Sequence, residues 1–181
     1  MVVDQYRHHG GLRGVAGLLG MRGLHEDPVL ARRYVALGEL APGTLGRAYF
    51  RHCRDNGFPF PGEPDGFPEA GVYHDLSHVL SGYHTTPAEE ILVGGFIAGY
   101  KRVNPFFVLL LPLISFSTGV NVTPLRQPHV VGVLAEPGLA ARFIAAVERG
   151  SRVNTDLSDN WDYWPLMPLP LGEARRRLAV S

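Results

Sequence analysis

The stretch from Tyr73 to Glu90 predicts two helices joined by a short loop, and this pair constrains how the rest of the chain can fold. Gly82 is a natural stop for the first helix, because glycine adopts the left-handed conformation without strain. The second helix has a full start signal: Thr86 can cap it, Pro87 suits its first position and Glu89 completes a capping box. Helices joined by so short a loop are usually antiparallel neighbours, so the sequence predicts a packed helix pair here.

Three side chains of the first helix and one of the second form a candidate metal site. At about 100° per residue, Asp75 lies about 100° round the helix from His74, and His78 about 40° round, so all three can face one point. The capping box occupies the preceding carboxylate, which leaves Glu90 free to return beside His78. Two imidazoles and two carboxylates are a ligand set for a divalent metal. An isolated H-x-x-x-H pair is more often an ordinary pair of helix histidines, but the adjacent Asp75 and the placement of Glu90 favour the metal interpretation.

The remainder of the chain shows apolar residues at helical spacing and no strand-like alternation. Asp27 and Pro28 are typical of a helix start. The proline- and glycine-rich segment 56–71 is expected to be a surface loop that its phenylalanines pin to the core. We therefore predict an all-α, single-domain bundle of about seven helices that contains a metal-binding helix pair. Residues 27–181 form the domain, and residues 1–26 are a separate N-terminal segment, expected to be mobile and to carry no targeting signal.

The nearly uninterrupted apolar run Val103–Phe116 is too short and too proline-broken to cross a bilayer. One interpretation is a fully buried core helix. The other is the wall of a hydrophobic tunnel, or a segment that dips into a membrane surface. Upstream of it, Gly94, Gly95 and Gly99 would allow the close approach of another helix or of a slim ligand.

Charge and cysteine content exclude several classes of function. The 181 residues include 17 basic and 17 acidic side chains, so the formal net charge of zero gives no electrostatic reason to expect nucleic acid as a partner. The single cysteine, Cys53, excludes an internal disulfide framework and is expected to be a small core residue. We expect a cytoplasmic protein, with peripheral contact at the inner face of the membrane as an option.

At the candidate metal site the chain resembles the family of the fourth Coq protein of coenzyme Q (ubiquinone) biosynthesis, in its bacterial form. The pattern His74-Asp75-x-x-His78, with Glu90 after eleven intervening residues, is similar to the signature of that family. Two further stretches are also similar, Leu40–Tyr49 upstream of the site and Pro170–Leu178 at the end of the chain. The resemblance implies a metal-dependent, possibly oxidative decarboxylase acting at ring carbon 1 of a polyprenylated 4-hydroxybenzoate. It also implies other biosynthetic enzymes as partners, and a homodimer is compatible with it.

The residues themselves leave several roles open. Zinc is the expected ion, held by His74, His78 and Glu90, with Asp75 either a fourth ligand or the group that orients an imidazole. An Asp75 that does not bind the ion can act in catalysis by moving a proton.

Three hypotheses of function follow. The first is the decarboxylase. The second is a non-catalytic scaffold that binds a prenyl lipid or quinone precursor and contains a structural metal. The third is a phosphohydrolase built on the His74-Asp75 pair, for which only His52 and Asp156 are available as further ligands, so we rank it last.

Overall fold

The computed structural model describes residues 26–120, 129–159 and 161–181. These residues form seven α-helices, and their isolated β-bridges do not extend into a strand pair. The predicted fold class, an all-α bundle of about seven helices, is confirmed. The N-terminal segment 1–26, apart from Glu26, lies outside the described residues. The helices are α1 Pro28–Val35, α2 Leu45–Asp55, α3 Ala70–Ser81, α4 Pro87–Tyr100, α5 Phe106–Thr118, α6 Leu139–Ser151 and α7 Leu171–Arg177.

Local signals set most of the helix ends. The Asp27 carboxylate accepts hydrogen bonds from the N–H groups of Val29 and Leu30, which confirms the predicted start of α1. The hydroxyl of Thr44 caps α2 by accepting from Arg47 N–H at 3.3 Å. The last helix ends at Arg177, and Ala179 then adopts a φ of 55°.

The described residues group into two compact units. The first contains the chain as far as Val79 together with Asp162–Ala174. Its core is aromatic: Tyr34, Tyr49 and Phe60 are all within 1% of full burial, and the Tyr34 ring lies 5.0 Å from that of Trp164. Phe60 therefore pins the predicted surface loop to this core, whereas Phe58 and Phe67 remain more than a third exposed.

The second unit contains Leu80–Trp161 and Arg175–Ser181, and α4 is its central helix. Helix α4 packs against α5 and α6 through its glycines. A Cβ on Gly94 would lie 2.8 Å from Val108 O in α5, and one on Gly99 would lie 2.7 Å from Ser151 N in α6. Of the two interpretations of these glycines, the close approach of other helices is confirmed.

Helix α5 is not the fully buried core helix that was one interpretation of the apolar run. Of its thirteen residues only Ser115 and Phe116 are buried, and Phe106 and Phe107 are 62% and 63% exposed. The helix contacts α4 along one side, which leaves most of its apolar residues half-exposed. Among the described residues, no helix has the length and apolar character needed to cross a membrane.

Candidate metal centre

Helix α3 brings the two histidines together, as the i,i+4 spacing predicted. Nε2 of His74 lies 3.1 Å from Nε2 of His78, and the rings meet at 82°. Two nitrogens bound to one ion at about 2.0–2.1 Å in tetrahedral geometry lie about 3.3 Å apart, so the observed separation fits a shared ion. His78 is 2% exposed and His74 is exposed, so the pair extends from the interior to solvent.

Glu90, in the first turn of α4, could supply a third ligand atom. One ligand atom from each of His74, His78 and Glu90 can be chosen so that all three lie within 4.8 Å of one another. Two imidazoles and one carboxylate match the His₂Glu set of catalytic zinc sites, which leave a coordination position open. The donor set therefore fits a divalent ion of the zinc class.

The neighbouring Glu89 has the backbone role that the sequence predicted, but with another partner. Its Oε2 accepts a hydrogen bond from His84 N–H at 2.5 Å, two residues before the N-cap Thr86. The Thr86 hydroxyl makes no capping hydrogen bond, so the predicted capping box is wrong in detail. Glu89 therefore fixes the loop that leads into α4.

Asp75 is not part of the three-residue cluster. Its Oδ1 lies 4.0 Å from Nε2 of His52 in α2, and its side chain is 24% exposed. Being about 100° round the helix from His74, the carboxylate faces α2 rather than the point shared by the histidines. Burial is the main cause that raises the pKa of the Cys53 thiol to about 12, and the negative charge of Asp75 is the second. Of the four predicted ligands, three come together, and the roles of Asp75 as ligand or proton carrier stay predictions.

The burial of His52 is the feature of this region that sequence reasoning missed. Its charged neighbours Arg51 and Arg54 suggest a solvated side of α2, but the His52 side chain is only 12% exposed. Its ring stacks on that of His78, with centroids 5.3 Å apart and planes 25° from parallel. The signal available in the sequence was its place beside Cys53 and three residues after Tyr49, both buried core residues.

Two arginines hold the C-terminal end of α3. Nη1 of Arg149 donates to Ser81 O at 2.7 Å, and Nε of Arg175 donates to Leu80 O at 2.9 Å. These carbonyls belong to the last turn of the helix, whose acceptors have no partner within the helix. Burial and the nearby charge of Arg149 lower the pKa of Arg175. Positive charge at this end of a helix is favourable, so the arginines stabilise the turn that follows His78.

Comparison with known proteins identifies a fold neighbour. No family model and no curated protein matches this chain. The chain is similar to the crystal structure of a candidate ubiquinone biosynthesis protein from Nostoc punctiforme, with a TM-score of 0.54 and 22% identity. The match covers 99% of this chain and 80% of the Nostoc chain. This structural similarity shows that the two chains share a fold.

Proposed function

We propose that this protein is a metal-dependent decarboxylase of ubiquinone biosynthesis, acting at ring carbon 1 of a polyprenylated 4-hydroxybenzoate. The observation that carries the proposal is the convergence of His74, His78 and Glu90 to ligand distance. The name of the fold neighbour from Nostoc punctiforme and the resemblance of the His-Asp-x-x-His motif to the fourth Coq protein support the same pathway.

The residues of the chain have distinct tasks in this proposal. His74, His78 and Glu90 would hold the ion, and a bound zinc-class ion would stabilise negative charge on an oxygen substituent of the ring. In the reaction, the bond from ring carbon 1 to the carboxylate breaks, carbon dioxide leaves, and a proton takes its place on the ring. Asp75, which lies outside the ligand cluster, is the candidate proton carrier on this side of the site.

The exposed apolar surface suits the remaining part of such a substrate. No charged side chain occurs between Arg102 and Arg126, and most of α5 within this stretch is half-exposed. A polyprenyl tail needs apolar surface of this kind, since each buried CH₂ group contributes about 0.8 kcal/mol.

The test compares metal content and turnover in the same variants. His78→Ala and Glu90→Ala should each lose bound metal, as measured by elemental mass spectrometry, and should lose decarboxylation of a short-chain prenylated 4-hydroxybenzoate with it. His84→Ala is the matched control, because this exposed histidine lies in the adjoining loop outside the ligand cluster, and it should keep both. Full turnover by metal-free His78→Ala would refute the proposal.

A second candidate function is a scaffold that binds a prenyl lipid at the membrane surface without converting it. The specific observation in its favour is the exposure of Phe106 and Phe107 at the start of α5, because exposed apolar side chains of this kind enter membrane interfaces. In the same experiment, a scaffold would bind metal and extract with lipid but would release no carbon dioxide.

A further inference from the structure

His52 occupies a place between two other rings in the first compact unit. The His78 ring stacks on it at 5.3 Å, and the Phe58 ring meets it edge-on at 5.9 Å and 64°. Its Nε2 is buried and faces the Asp75 carboxylate at 4.0 Å. A separation of 4.0 Å is longer than a hydrogen bond, so the contact with Asp75 is electrostatic. The imidazole of His52 is thus held by ring contacts on two sides and by a carboxylate at its buried nitrogen.

We infer that His52 is a positioning residue for the candidate metal centre, which fixes the ring plane of His78 and is itself held by Asp75. The inference rests on the proposed metal centre and adds two side chains to it that bind no ion. It gives Asp75 a role that agrees with its place outside the ligand cluster.

The physical reason lies in the freedom of the His78 side chain. The χ2 torsion of histidine has a broad energy minimum, so the backbone alone does not fix the direction of Nε2. A neighbouring ring only 25° from parallel limits rotation about χ2, because turning the His78 ring would drive its edge into His52. Nε2 of His78 therefore stays directed at His74, 3.1 Å away, before any ion binds. Preorganisation of this kind lowers the cost of ordering the ligand when the ion arrives.

Partners outside the ligand shell have measurable effects on metal affinity. Their loss typically weakens binding by about 10–100-fold, and we expect a loss of this size when the His52 ring is removed. The aromatic ring of His52 and its nitrogen Nε2 have different roles in this arrangement. The ring restrains His78, and the nitrogen joins His52 to Asp75.

Two substitutions separate these parts. His52→Ala removes both, whereas His52→Phe keeps an aromatic ring and removes the nitrogen. Arg51→Ala is the matched control, because Arg51 is the adjacent residue of α2 and is exposed. The readouts are zinc affinity by chelator competition, the visible absorption spectrum of the cobalt-loaded protein, and the melting temperature of the metal-free protein.

We expect His52→Ala to bind zinc about 10–100-fold more weakly and to shift the cobalt spectrum, because the direction of one ligand changes. His52→Phe should lie closer to wild type in both measurements, and Arg51→Ala should match wild type. Wild-type affinity and an unchanged spectrum in His52→Ala would overturn the inference while leaving the metal centre in place. A protein that binds zinc but turns over no substrate would instead remove the decarboxylase proposal alone. If wild-type protein bound neither ion, the inference and the proposed metal centre would both be overturned.

Discussion

Gly150 lies where α6 crosses α4, and its replacement tests how closely these helices are packed. A Cβ added to Gly150 would lie 2.9 Å from the carbonyl carbon of Phe96 and 3.1 Å from Cα of Gly99, and closer still to the Phe96 carbonyl oxygen. Carbon atoms in good contact are about 3.5–4.0 Å apart, so the helices would have to separate by at least about 0.5–1 Å. Backbone atoms cannot move aside by rotating a side-chain torsion.

The magnitude follows from two opposing terms. Overpacking of a core costs about 1–3 kcal/mol, and the clash with backbone atoms places Gly150→Ala at the upper end of that range. The higher helix propensity of alanine offsets about 1 kcal/mol. The net destabilisation should therefore be about 2 kcal/mol, or a melting temperature about 4–8 °C lower for a chain of this length.

Thermal and urea unfolding followed by circular dichroism would measure this change. Gly71→Ala, at the start of α3, is the matched control, since its Cβ would meet only Phe67, with the nearest atom, the Phe67 Cβ, 3.3 Å away, a contact that a small shift relieves. That variant should be as stable as wild type or more stable by up to about 1 kcal/mol. A Gly150→Ala protein as stable as wild type would show that α4 and α6 are not in backbone contact, and the reasoning would fail.

Two further predictions concern buried hydroxyl and thiol groups. Tyr34→Phe removes a hydroxyl that donates to Glu69 at 2.7 Å and lies 2.6 Å from the hydroxyl of Tyr163. This substitution should lower the free energy of unfolding, measured by urea titration, by about 1–3 kcal/mol. An unchanged free energy of unfolding would mean that water replaces the hydroxyl. Burial, aided by the charge of Asp75, raises the pKa of the Cys53 thiol from 9.0 to about 12. The native thiol should therefore resist alkylation at pH 8. Because the unfolded thiol loses its proton first, this contribution to stability should be lost as pH rises from 9.0 to about 12, and rapid alkylation of folded protein would contradict the assignment.

Most of the helix pair around the site could be predicted, because local residues determine it. Gly82 follows the end of α3 with a φ of 81°, and Pro87 is the first residue of α4. These signals act within a few residues, so they can be read without knowledge of tertiary structure. The same holds for the i,i+4 pair of His74 and His78, whose spacing alone puts both on one side of a helix.

The surroundings of the site could not be predicted in the same way. The placement of His52 depends on which side of α2 meets α3, and the charged residues beside it, Arg51 and Arg54, made that side look solvated. The exposure of α5 is also a tertiary outcome: a run of apolar residues does not reveal whether neighbouring helices cover one side or all sides. The partner of Glu89 was missed because both Thr86 and His84 lie within its reach, and only the loop conformation selects between them.

The connection from α3 to α4 has a consequence for how this chain tolerates length changes. Exposed loop tips usually accept insertions, because few contacts hold their backbone. Here the last carbonyls of α3 are bound by Arg149 and Arg175, and His84 N–H is bound by Glu89. The segment from Gly82 to Thr86 therefore behaves as a spacer of set length, and a single inserted residue would break at least one of these hydrogen bonds.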